Sequence, residues 1–591
     1  MNPRIIPRLC STLLLVLLGL TRVVAAARAD SRLDRFLEEC GKRYSDEWQM
    51  VGQKSYSPGY HTTVPSGTWV HPVLPSLDYA MGLLDRNTPA DLDRAEKIIR
   101  KVTSLQDVDP TSRTYGIWPW FLEESLTKMS PPDWNWADFC GARLTLILAD
   151  HAAILPEHLK QAVRTSLRHA ARAIVKRNVG PGYTNIAIMG GGVCAAAGEL
   201  LADSILLEYG RHRLQQLVAH TAHDGSFNEY NSPTYTMVAL WESERTLHLV
   251  HDPATREPAE SVRQTAWQVI AESYHPGTHQ WGGPHARSYS DHLLPEVAGY
   301  LAEQTGVAIL PSAVTNAART GDLPVAWHLP CPECLLGRFR QLPRDPYEVR
   351  RTFIRGAGPD GSTIGTTWLT TDACLGSVNR GTFWTQCHPL IGYWRTDVDP
   401  AVVVRLRFLH DGRDFASMGL CTAQSGGRSL ALVYPLRNQG DWHPGLDRPT
   451  RGIFQASDFR LRIELTGKGV AVEKIGTDRW ALRAGKNRTV VHALPGRFAG
   501  NSISWQAGTA NNQAFVDAVC YNGEKRPFDF QQLPEVVLAT GIEILPVGES
   551  ASEPSPRLNG PSSKTIEATW DVAGGLRVAS SVKPLAWKLS Q

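Results

Sequence analysis

The sequence has no long hydrophobic run beyond its first 29 residues, so it predicts no membrane-spanning helix in the remainder. Of its 591 residues, 42% are hydrophobic and 20% are charged. This composition is typical of an ordinary globular protein rather than of a disordered chain. The length allows two or more domains with sizeable cores.

The chain also lacks an excess of charge of one sign. The first 29 residues contain four arginines and no acidic residue, so the rest carries 57 basic and 58 acidic side chains. A nucleic-acid-binding protein needs a basic surface that this balance does not provide. The sequence therefore predicts no nucleic-acid partner, and any anionic ligand must be bound by a local site.

Cysteine is scarce, with ten residues in the whole chain. This is too few for a disulfide scaffold, although one or two disulfides would suit an oxidising compartment. Cys331-Pro-Glu-Cys334 is half of a zinc knuckle, but no matching second pair is present. We expect no required cofactor; a structural metal at Cys331 and Cys334 is the alternative to a local disulfide or free thiols.

The N-terminus has the features of a secretory signal peptide. Arg4 and Arg8 precede a short apolar run over residues 13–20, and Ala27-Arg28-Ala29 offers a small-x-small cleavage site. The apolar run is too short to span a membrane. We therefore expect a signal peptide over residues 1–29 and a secreted or periplasmic protein.

From residue 30 to about residue 320 the hydrophobic pattern is helical, with short connections rich in proline, glycine, aspartate and asparagine. Consecutive helices without intervening strands are typical of a bundle, a solenoid or an (α/α) toroid. The lack of a fixed-period repeat disfavours the solenoid. The predicted helices cover residues 31–47, 77–86, 90–105, 136–153, 156–176, 191–209, 233–250, 259–273 and 293–304.

From about residue 346 the pattern changes to the alternation of β-strands bounded by turn residues. This predicts a β-sandwich-like domain over residues 346–591. Residues 321–345 are proline-rich and form the predicted linker, and residues 548–563 form a Pro/Ser/Gly-rich loop. The predicted strands cover residues 363–370, 401–408, 430–434, 459–465, 469–475 and 488–492.

Residues 223–235 concentrate polar groups at one helix start. Ser232 followed by Pro233 predicts a helix N-terminus with serine as the N-cap. Tyr235 would lie in the first turn, where the helix dipole makes a phenolate easier to form. A core helix does not need the extra polar groups before it, which are Glu229, Tyr230 and Asn231. We interpret this segment as the edge of an active site, with a hydrogen-bonded structural turn as the alternative.

Two further segments of the helical half carry groups suited to sugar binding. Four tryptophans, mixed with proline and acidic residues, fit poorly on one buried helix face: Trp118, Trp120, Trp134 and Trp136. Their rings suit stacking on sugars, and anchors at helix ends explain them equally well. Thr184 or Asn185 could cap a helix, and the glycines that follow allow close helix packing or approach to a ligand.

Residues 274–292 form a glycine- and proline-containing loop with four histidines, one arginine and two tyrosines. Such groups on a loop of a rigid scaffold favour a functional role, and a polar surface loop is the alternative. His279, His285 and His292 lack a compact helical ligand spacing, which disfavours a metal site.

Asn185, the motif Asp224-Gly-Ser-x-x-Glu229 and Tyr289, 60 residues after Glu229, together resemble polysaccharide lyases of the (α/α)-toroid plus β-sandwich class. This class includes alginate, heparin-type, hyaluronan and glucuronan lyases. Residues 134–139 (WNWADF) and 285–289 (HARSY) are most similar to the glucuronan/alginate branch, which is heparinase II/III-like. The resemblance implies an α+β multidomain protein: an N-terminal (α/α) toroid of antiparallel helices over residues 30–320, and a C-terminal antiparallel β-sandwich domain.

The resemblance also implies a reaction and residue roles. A uronic-acid-containing anionic polysaccharide would be cleaved by β-elimination without an obligatory metal. Asn185, with His285 or Arg287, would neutralise the C5 carboxylate. Tyr235 or Tyr289 would remove the C5 proton, and one of them would protonate the leaving O4. Glu229 would orient Arg287 or His285; the expected substrate contacts are Tyr230, Asn231, His279 and the four tryptophans.

The sequence departs from the family pattern at Ile186, where related lyases often have histidine. A histidine base at that position is excluded, and the choice of base stays open between the two tyrosines. The alternative function is an inverting glycoside hydrolase on a toroid, with Glu229 as acid and Asp138 or Asp224 as base. A non-catalytic sugar-binding protein would explain the tryptophans but not the polar cluster.

Overall fold

The computed structural model of the chain describes residues 32–57, 60–309, 323, 325–357, 361–437, 452–560 and 565–586. The predicted signal peptide lies outside the described residues, as do parts of the predicted linker and of the loop over 548–563. The chain divides into two compact units. The first comprises Met1–Asn178, Val193–Tyr209 and Arg319–His328, and the second comprises Val179–Gly192, Gly210–Ala318 and Leu329–Gln591. The later helices therefore belong to the same unit as the β domain, across the predicted boundary.

The N-terminal region is helical, as the sequence predicts. Within the described residues its helices are α1 (32–41), α2 (Val73–Arg86), α3 (Pro89–Thr103), α4 (Trp136–His151), α5 (Glu157–Arg177), α6 (Thr184–Leu201), α7 (Ser204–Asp224), α8 (Tyr235–Leu249), α9 (Pro253–Ser273) and α10 (Pro295–Thr305). The short helix α11 (Leu336–Arg340) lies in the predicted linker, directly after a 3-10 turn over Glu333–Leu335.

The predicted helix over residues 191–209 is wrong, because the chain forms two helices there. Ala202 has a φ of 54°, a left-handed conformation that ends α6. The carboxylate of Asp203 then accepts hydrogen bonds from two N–H groups of the next turn, at 3.2 and 3.3 Å, and so begins α7. The first of these helices already starts at Thr184, which places Asn185 in its first turn.

The helical region also contains six short strands, which are β1 (Tyr44–Ser45), β2 (Met50–Val51), β3 (Gln53–Lys54), β4 (Trp69–Val70), β5 (Tyr274–His275) and β6 (Gln280–Trp281). The first predicted helix, over 31–47, therefore ends at residue 41, where the hairpin of β1 and β2 follows. Strands β5 and β6 also pair as a hairpin, so the histidine-rich segment is ordered at its start.

The C-terminal region consists of strands, which are β7 (Tyr347–Ile354), β8 (Thr363–Leu369), β9 (Ala373–Val378), β10 (Arg380–Thr382), β11 (Leu390–Trp394), β12 (Val402–His410), β13 (Arg413–Asp414), β14 (Met418–Ser425), β15 (Arg428–Arg437), β16 (Ile453–Thr466), β17 (Ala471–Lys474), β18 (Arg479–Ala484), β19 (Asn487–Ala493), β20 (Arg497–Phe498), β21 (Asn501–Ser502), β22 (Ser504–Ala510), β23 (Gln513–Asp529), β24 (Leu538–Pro546), β25 (Arg557–Asn559), β26 (Thr565–Trp570), β27 (Leu576–Ser581) and β28 (Leu585–Ala586).

Two large sheets share one core. Among the described residues, a nine-stranded sheet has the order β22-β23-β16-β12-β11-β9-β8-β7, with β13 beside β12. An eight-stranded sheet has the order β10-β14-β15-β24-β19-β18-β17, with β28 beside β15. Phe408 and Leu461 of the first sheet and Val433 and Leu482 of the second belong to the same buried cluster. A helical region followed by an antiparallel β-sheet domain is thereby confirmed.

One described helix, α6, is long and apolar enough to cross a membrane. Of its most apolar stretch, 89% is buried inside the protein. Cys194 and Ala195 in its middle are fully buried, which is the environment of a helix in a protein core.

A glycine turn directs the chain from α7 toward α8. Gly225 has a φ of +99°, and a Cβ atom built on it would lie 2.5 Å from the carbonyl oxygen of Thr352 in β7. Arg351 donates to the carbonyl of Gly225 at 3.1 Å. The polar segment before α8 is therefore fixed against the β domain at a point where only glycine fits.

We predict that Gly225→Ala destabilises the protein by more than the roughly 1–2 kcal/mol that a left-handed alanine costs by itself. The added methyl group would force the contact with Thr352 to open. Gly306→Ala is the matched control, because Gly306 also has a positive φ, of 65°, but has nothing within 4 Å of its would-be Cβ. Urea unfolding of both variants measures the difference, and equal losses would contradict the prediction.

Candidate active site

Ser232 bonds to the first turn of α8, although the helix starts later than the sequence predicts. The hydroxyl of Ser232 accepts the N–H of Tyr235 at 2.8 Å, but the helix begins at Tyr235 rather than Pro233, and its N-cap position is Thr234, whose side chain makes no cap hydrogen bond. The same hydroxyl donates to the carbonyl oxygen of Arg287 at 2.5 Å. One side chain thus fixes the helix start and the backbone of Arg287 together.

Asn231 holds the segment that leads to Arg287. Its amide group donates to the carbonyl oxygens of Gly282 and Pro284 at 2.9 and 2.8 Å, and its oxygen accepts the Trp281 indole N–H at 2.6 Å. Both amide hydrogens are used, and the residue is 1% exposed. The side chain therefore has a structural role, and the substrate contact predicted for Asn231 is not supported.

Tyr235, Arg287 and Tyr289 meet in one cluster. The hydroxyl oxygens of Tyr235 and Tyr289 are 2.7 Å apart, and Nη2 of Arg287 donates to the Tyr235 hydroxyl at 3.0 Å. Tyr289 is 58% exposed. A guanidinium group has only donors, so the Tyr235 oxygen is the acceptor of the Arg287 hydrogen bond.

Glu229 and Asn185 adjoin this cluster. One carboxylate oxygen of Glu229 accepts the backbone N–H of Asn185 at 3.1 Å, and the other lies 3.6 Å from Nη1 of Arg287. The side-chain oxygens of Thr184 and Asn185 are buried without a hydrogen-bond partner in the described part of the chain. Neither side chain caps α6, so the capping explanation for Thr184 and Asn185 is not observed.

Burial shifts two pKa values in the cluster. It raises the pKa of Glu229 to about 7, against the opposing effects of Arg287 and the Asn185 N–H. Burial also raises the pKa of the Tyr235 phenol well above its ordinary value, and the positive charge of Arg287 offsets this only in part. The helix start therefore does not make the phenolate of Tyr235 easy to form, contrary to expectation.

The β domain supplies two side chains to Arg287 that the sequence prediction missed. Nε of Arg287 donates to the side-chain oxygen of Gln386 at 2.6 Å. The centre of the guanidinium lies 4.6 Å from the ring centroids of both Tyr235 and Trp384. Trp384 and Gln386 lie between β10 and β11, in a polar break within otherwise alternating sequence, and this break is the only local signal that could have indicated them.

His285 is buried and bonds to the backbone of Asn231. It is 2% exposed, its Nδ1 donates to the carbonyl oxygen of Asn231 at 2.7 Å, and its ring contacts that of His388 at a centroid distance of 5.7 Å. Burial lowers the pKa of His285 to about 4. The predicted role of His285 in neutralising a carboxylate is therefore wrong, because the ring is uncharged at neutral pH.

The remaining histidines of this segment are separate from one another. His279 is hydrogen-bonded to the hydroxyl of Tyr274 at 3.0 Å, and His292 to the carbonyl oxygen of Ala401 at 2.9 Å. The three histidines that were considered as metal ligands therefore each bond to a different partner. Among the described residues no group of three or more His, Cys, Asp or Glu side chains could hold a metal ion.

Tyr230 was predicted to contact substrate. It stacks face to face on Phe353, with centroids 4.3 Å apart, so one face of its ring is covered.

The two cysteines considered for a structural metal differ in exposure. Cys331 is buried and Cys334 exposed. All nine cysteines in the described ranges are free thiols, which is the form they take in place of a local disulfide.

The four tryptophans belong to the first compact unit. Trp118 is fully buried and donates to the carbonyl oxygen of Val102 at 2.9 Å, so the predicted sugar contact is wrong and Trp118 is a core anchor. Trp120 and Trp136 stack at 5.1 Å and line a cavity of about 300 Å³. Trp134 is 38% exposed and donates to the carbonyl oxygen of Arg113 at 3.0 Å.

The acidic residues considered for a hydrolase are engaged elsewhere. Asp224 accepts from His223 at 2.8 Å and lies 3.5 Å from His220. Asp138 is 2% exposed and lies 3.8 Å from Nη1 of Arg177. Neither carboxylate has the open position that a base activating a water molecule needs.

Comparison with known proteins gives a family match and structural likenesses. A domain of unknown function (DUF8769) matches residues 54–303. No curated protein matches the sequence. Among solved structures, the chain is similar to the heparinase III BT4657 gene product, with 10% identity, a TM-score of 0.36, and coverage of 86% of this chain and 84% of that chain. It is also similar to heparan sulfate lyase HepC from Pedobacter heparinus, with 10% identity, a TM-score of 0.33, and coverage of 96% and 97%.

We predict that His285 makes the protein sensitive to acid. Its folded pKa, about 4, lies below the value near 6.5 of the unfolded chain. The unfolded state therefore binds the extra proton as the pH falls from about 6.5 to about 4, and stability present above 6.5 is lost over that range, by up to roughly 3 kcal/mol.

His285→Asn tests this, because an asparagine amide can still donate to the Asn231 carbonyl but does not titrate. Urea unfolding at a series of pH values should show a shallower acid loss for this variant. The control is His158→Asn, at a side chain that is 57% exposed. The prediction fails if both variants keep the pH dependence of the unmodified protein.

Proposed function

We propose that the protein is a polysaccharide lyase that cleaves a uronic-acid-containing polysaccharide, of the glucuronan or alginate type, by β-elimination. The observation that carries the proposal is the pair of tyrosine hydroxyls 2.7 Å apart, one of which accepts a hydrogen bond from the partly buried Arg287. Such a pair can take a proton from one atom of a substrate and give a proton to another. Two carboxylates flanking a glycosidic bond, as a hydrolase needs, have no counterpart in this cluster.

Arg287 and Asn185 are the proposed partners of the substrate carboxylate. The C5 proton of a uronate becomes acidic only when the negative charge of the adjacent carboxylate is compensated. Arg287 supplies a fixed positive charge in a site of low polarity, where its effect is larger than in water. The side-chain N–H groups of Asn185 are the proposed donors to this carboxylate, and the backbone N–H of Asn185 bonds to Glu229 at 3.1 Å.

Tyr235 is the proposed base and Tyr289 the proposed acid. The Arg287 hydrogen bond stabilises a negative oxygen on Tyr235, whereas Tyr289 is the more exposed of the two and can reach a leaving sugar. Tyr235 takes the C5 proton, the C5–H electron pair becomes the C4=C5 double bond, and the C4–O4 bond breaks. O4 leaves with a proton from Tyr289, and the 2.7 Å hydrogen bond returns the proton from Tyr235 to Tyr289.

The remaining features complete the proposal. Trp120 and Trp136 offer stacked rings beside a cavity, which suits the apolar face of a sugar. Tyr230, His279 and Trp134 stay candidates for substrate contact. The proposed elimination uses only side chains of this protein, so we propose no required cofactor. The N-terminal sequence supports a secreted or periplasmic location, where polymeric substrates are found.

We predict that Tyr235→Phe and Tyr289→Phe each lower kcat by about 100- to 10,000-fold with little change in KM, because each removes one proton-transfer group. The assay is ultraviolet absorbance with glucuronan, alginate, hyaluronan, heparan and pectate as separate substrates. Elimination creates a C4=C5 double bond conjugated to the carboxylate, which absorbs, whereas hydrolysis does not.

Tyr521→Phe is the matched control, since the Tyr521 hydroxyl donates to the carbonyl oxygen of Glu524 at 2.5 Å within strand β23 of the β domain. New reducing ends without a rise in absorbance would contradict the proposed lyase activity and indicate a glycoside hydrolase. If neither signal appears with any of the five polysaccharides, the interpretation as a non-catalytic sugar-binding protein remains.

We also predict that kcat/KM rises about tenfold per pH unit through neutral and mildly alkaline pH. Because the pKa of Tyr235 is raised, the phenol is protonated at neutral pH, and the basic phenolate becomes more abundant as the pH increases. Glu229→Gln should keep this rise. A rise that stops near pH 7 and disappears in Glu229→Gln would assign it to Glu229, whose pKa is about 7, and would contradict the assignment to Tyr235.

A further inference from the structure

On the lyase function proposed above, we infer that Gln386 and Trp384 of the β domain are positioning residues that hold the Arg287 guanidinium for catalysis. Gln386 accepts the Nε hydrogen bond of Arg287 at 2.6 Å, and the Trp384 ring centroid lies 4.6 Å from the centre of the guanidinium. Tyr235 lies at the same distance from the guanidinium, with its own ring. The guanidinium therefore contacts two aromatic rings.

The backbone fixes these two side chains in register with Arg287. His285 and His388 exchange two N–H to carbonyl hydrogen bonds, each at 3.0 Å, and the N–H of Ser288 donates to the carbonyl oxygen of Gln386 at 2.7 Å. The thiol of Cys387 donates to the carbonyl oxygen of Ala286 at 3.1 Å. Residues 285–288 and 384–388 therefore form a short paired ladder, and Gln386 stands opposite the arginine because of it.

The bond to Nε determines where the other two nitrogens point. A guanidinium is planar, so fixing Nε on Gln386 and a ring face on Trp384 leaves Nη2 directed at the Tyr235 hydroxyl and Nη1 toward Glu229. The neutral amide of Gln386 achieves this without a second negative charge beside the site. A carboxylate there would compete with the substrate carboxylate for the same cation.

A second layer supports the ladder. His388 is 2% exposed and lies 3.4 Å from Asp291, whose carboxylate accepts a hydrogen bond from Arg405 at 2.5 Å. The hydroxyl of Tyr393 donates to the carbonyl oxygen of Asp291, also at 2.5 Å. These contacts connect the segment that carries Gln386 to Asp291 and Arg405.

The first test replaces Gln386 with methionine, which has a similar size but no oxygen acceptor. We expect kcat/KM to fall about 10- to 100-fold, the cost of a misplaced catalytic group. Gln386→Glu should keep the hydrogen bond to Nε but raise KM, because its charge repels the uronate. Trp384→Phe should retain more activity than Trp384→Leu, since phenylalanine keeps an aromatic face over the cation.

The second readout needs no substrate: the rate at which phenylglyoxal modifies Arg287, followed by mass spectrometry of the peptide that carries it. The Arg287 side chain is 26% exposed, and release from Gln386 should increase its modification several-fold. Gln424→Met is the matched control, because Gln424 also forms buried hydrogen bonds in the β domain, with Ser377 and Leu375. Circular dichroism and thermal unfolding check that each variant is folded.

The outcomes separate this inference from the function on which it rests. Faster modification together with lower kcat/KM in Gln386→Met supports the positioning role. Unchanged modification overturns it, whatever the activity. Faster modification with unchanged kcat/KM also overturns it, because Arg287 would then not need to be held. If the unmodified protein shows no lyase activity, the proposed function fails, while faster modification still supports Gln386 as the residue that holds Arg287.

Discussion

The site depends on how one cation is kept out of water. The Arg287 side chain is only 26% exposed, and a buried guanidinium is stable only when acceptors and polarisable surfaces replace its hydration. Here the hydroxyl of Tyr235, the amide oxygen of Gln386, the carboxylate of Glu229 and two aromatic rings do so. These groups come from α8, from the loop before β11 and from the turn after α7. The helical residues and the β domain must therefore fold together to hold it.

The same burial affects the acids and bases around the cation in opposite ways. It strengthens the attraction of Arg287 for a substrate carboxylate, because charges interact more strongly where water is excluded. It also raises the pKa of Glu229 and of Tyr235, since both become anions on losing a proton. A phenolate formed there is scarce but strongly basic, and it lies beside the positive charge that stabilises it. A tyrosine that removes a weakly acidic C–H proton benefits from this combination.

Neutral polar side chains hold the backbone segment that leads to Arg287. Asn231 uses its side chain to hold the carbonyl oxygens of Gly282 and Pro284, and its own carbonyl oxygen accepts from His285. Burial keeps His285 and His388 uncharged by lowering their pKa values. The two histidines of this layer therefore add no positive charge of their own beside the guanidinium of Arg287. The balanced overall charge of the chain fits this local mode of recognition.

The sequence by itself determined the features that local chemistry controls. The serine hydrogen bond at the start of α8 and the alternation that predicts strands depend on a few neighbouring residues, and the structure contains both. Tertiary structure alone decided the features that join distant positions. Gln386 meets Arg287 across 99 residues of sequence, and Trp118 and His285 are polar or aromatic side chains whose burial no local pattern indicated. Packing determines which groups lose contact with water, and with it which of them are charged, so it decided the chemistry that the candidate site can perform.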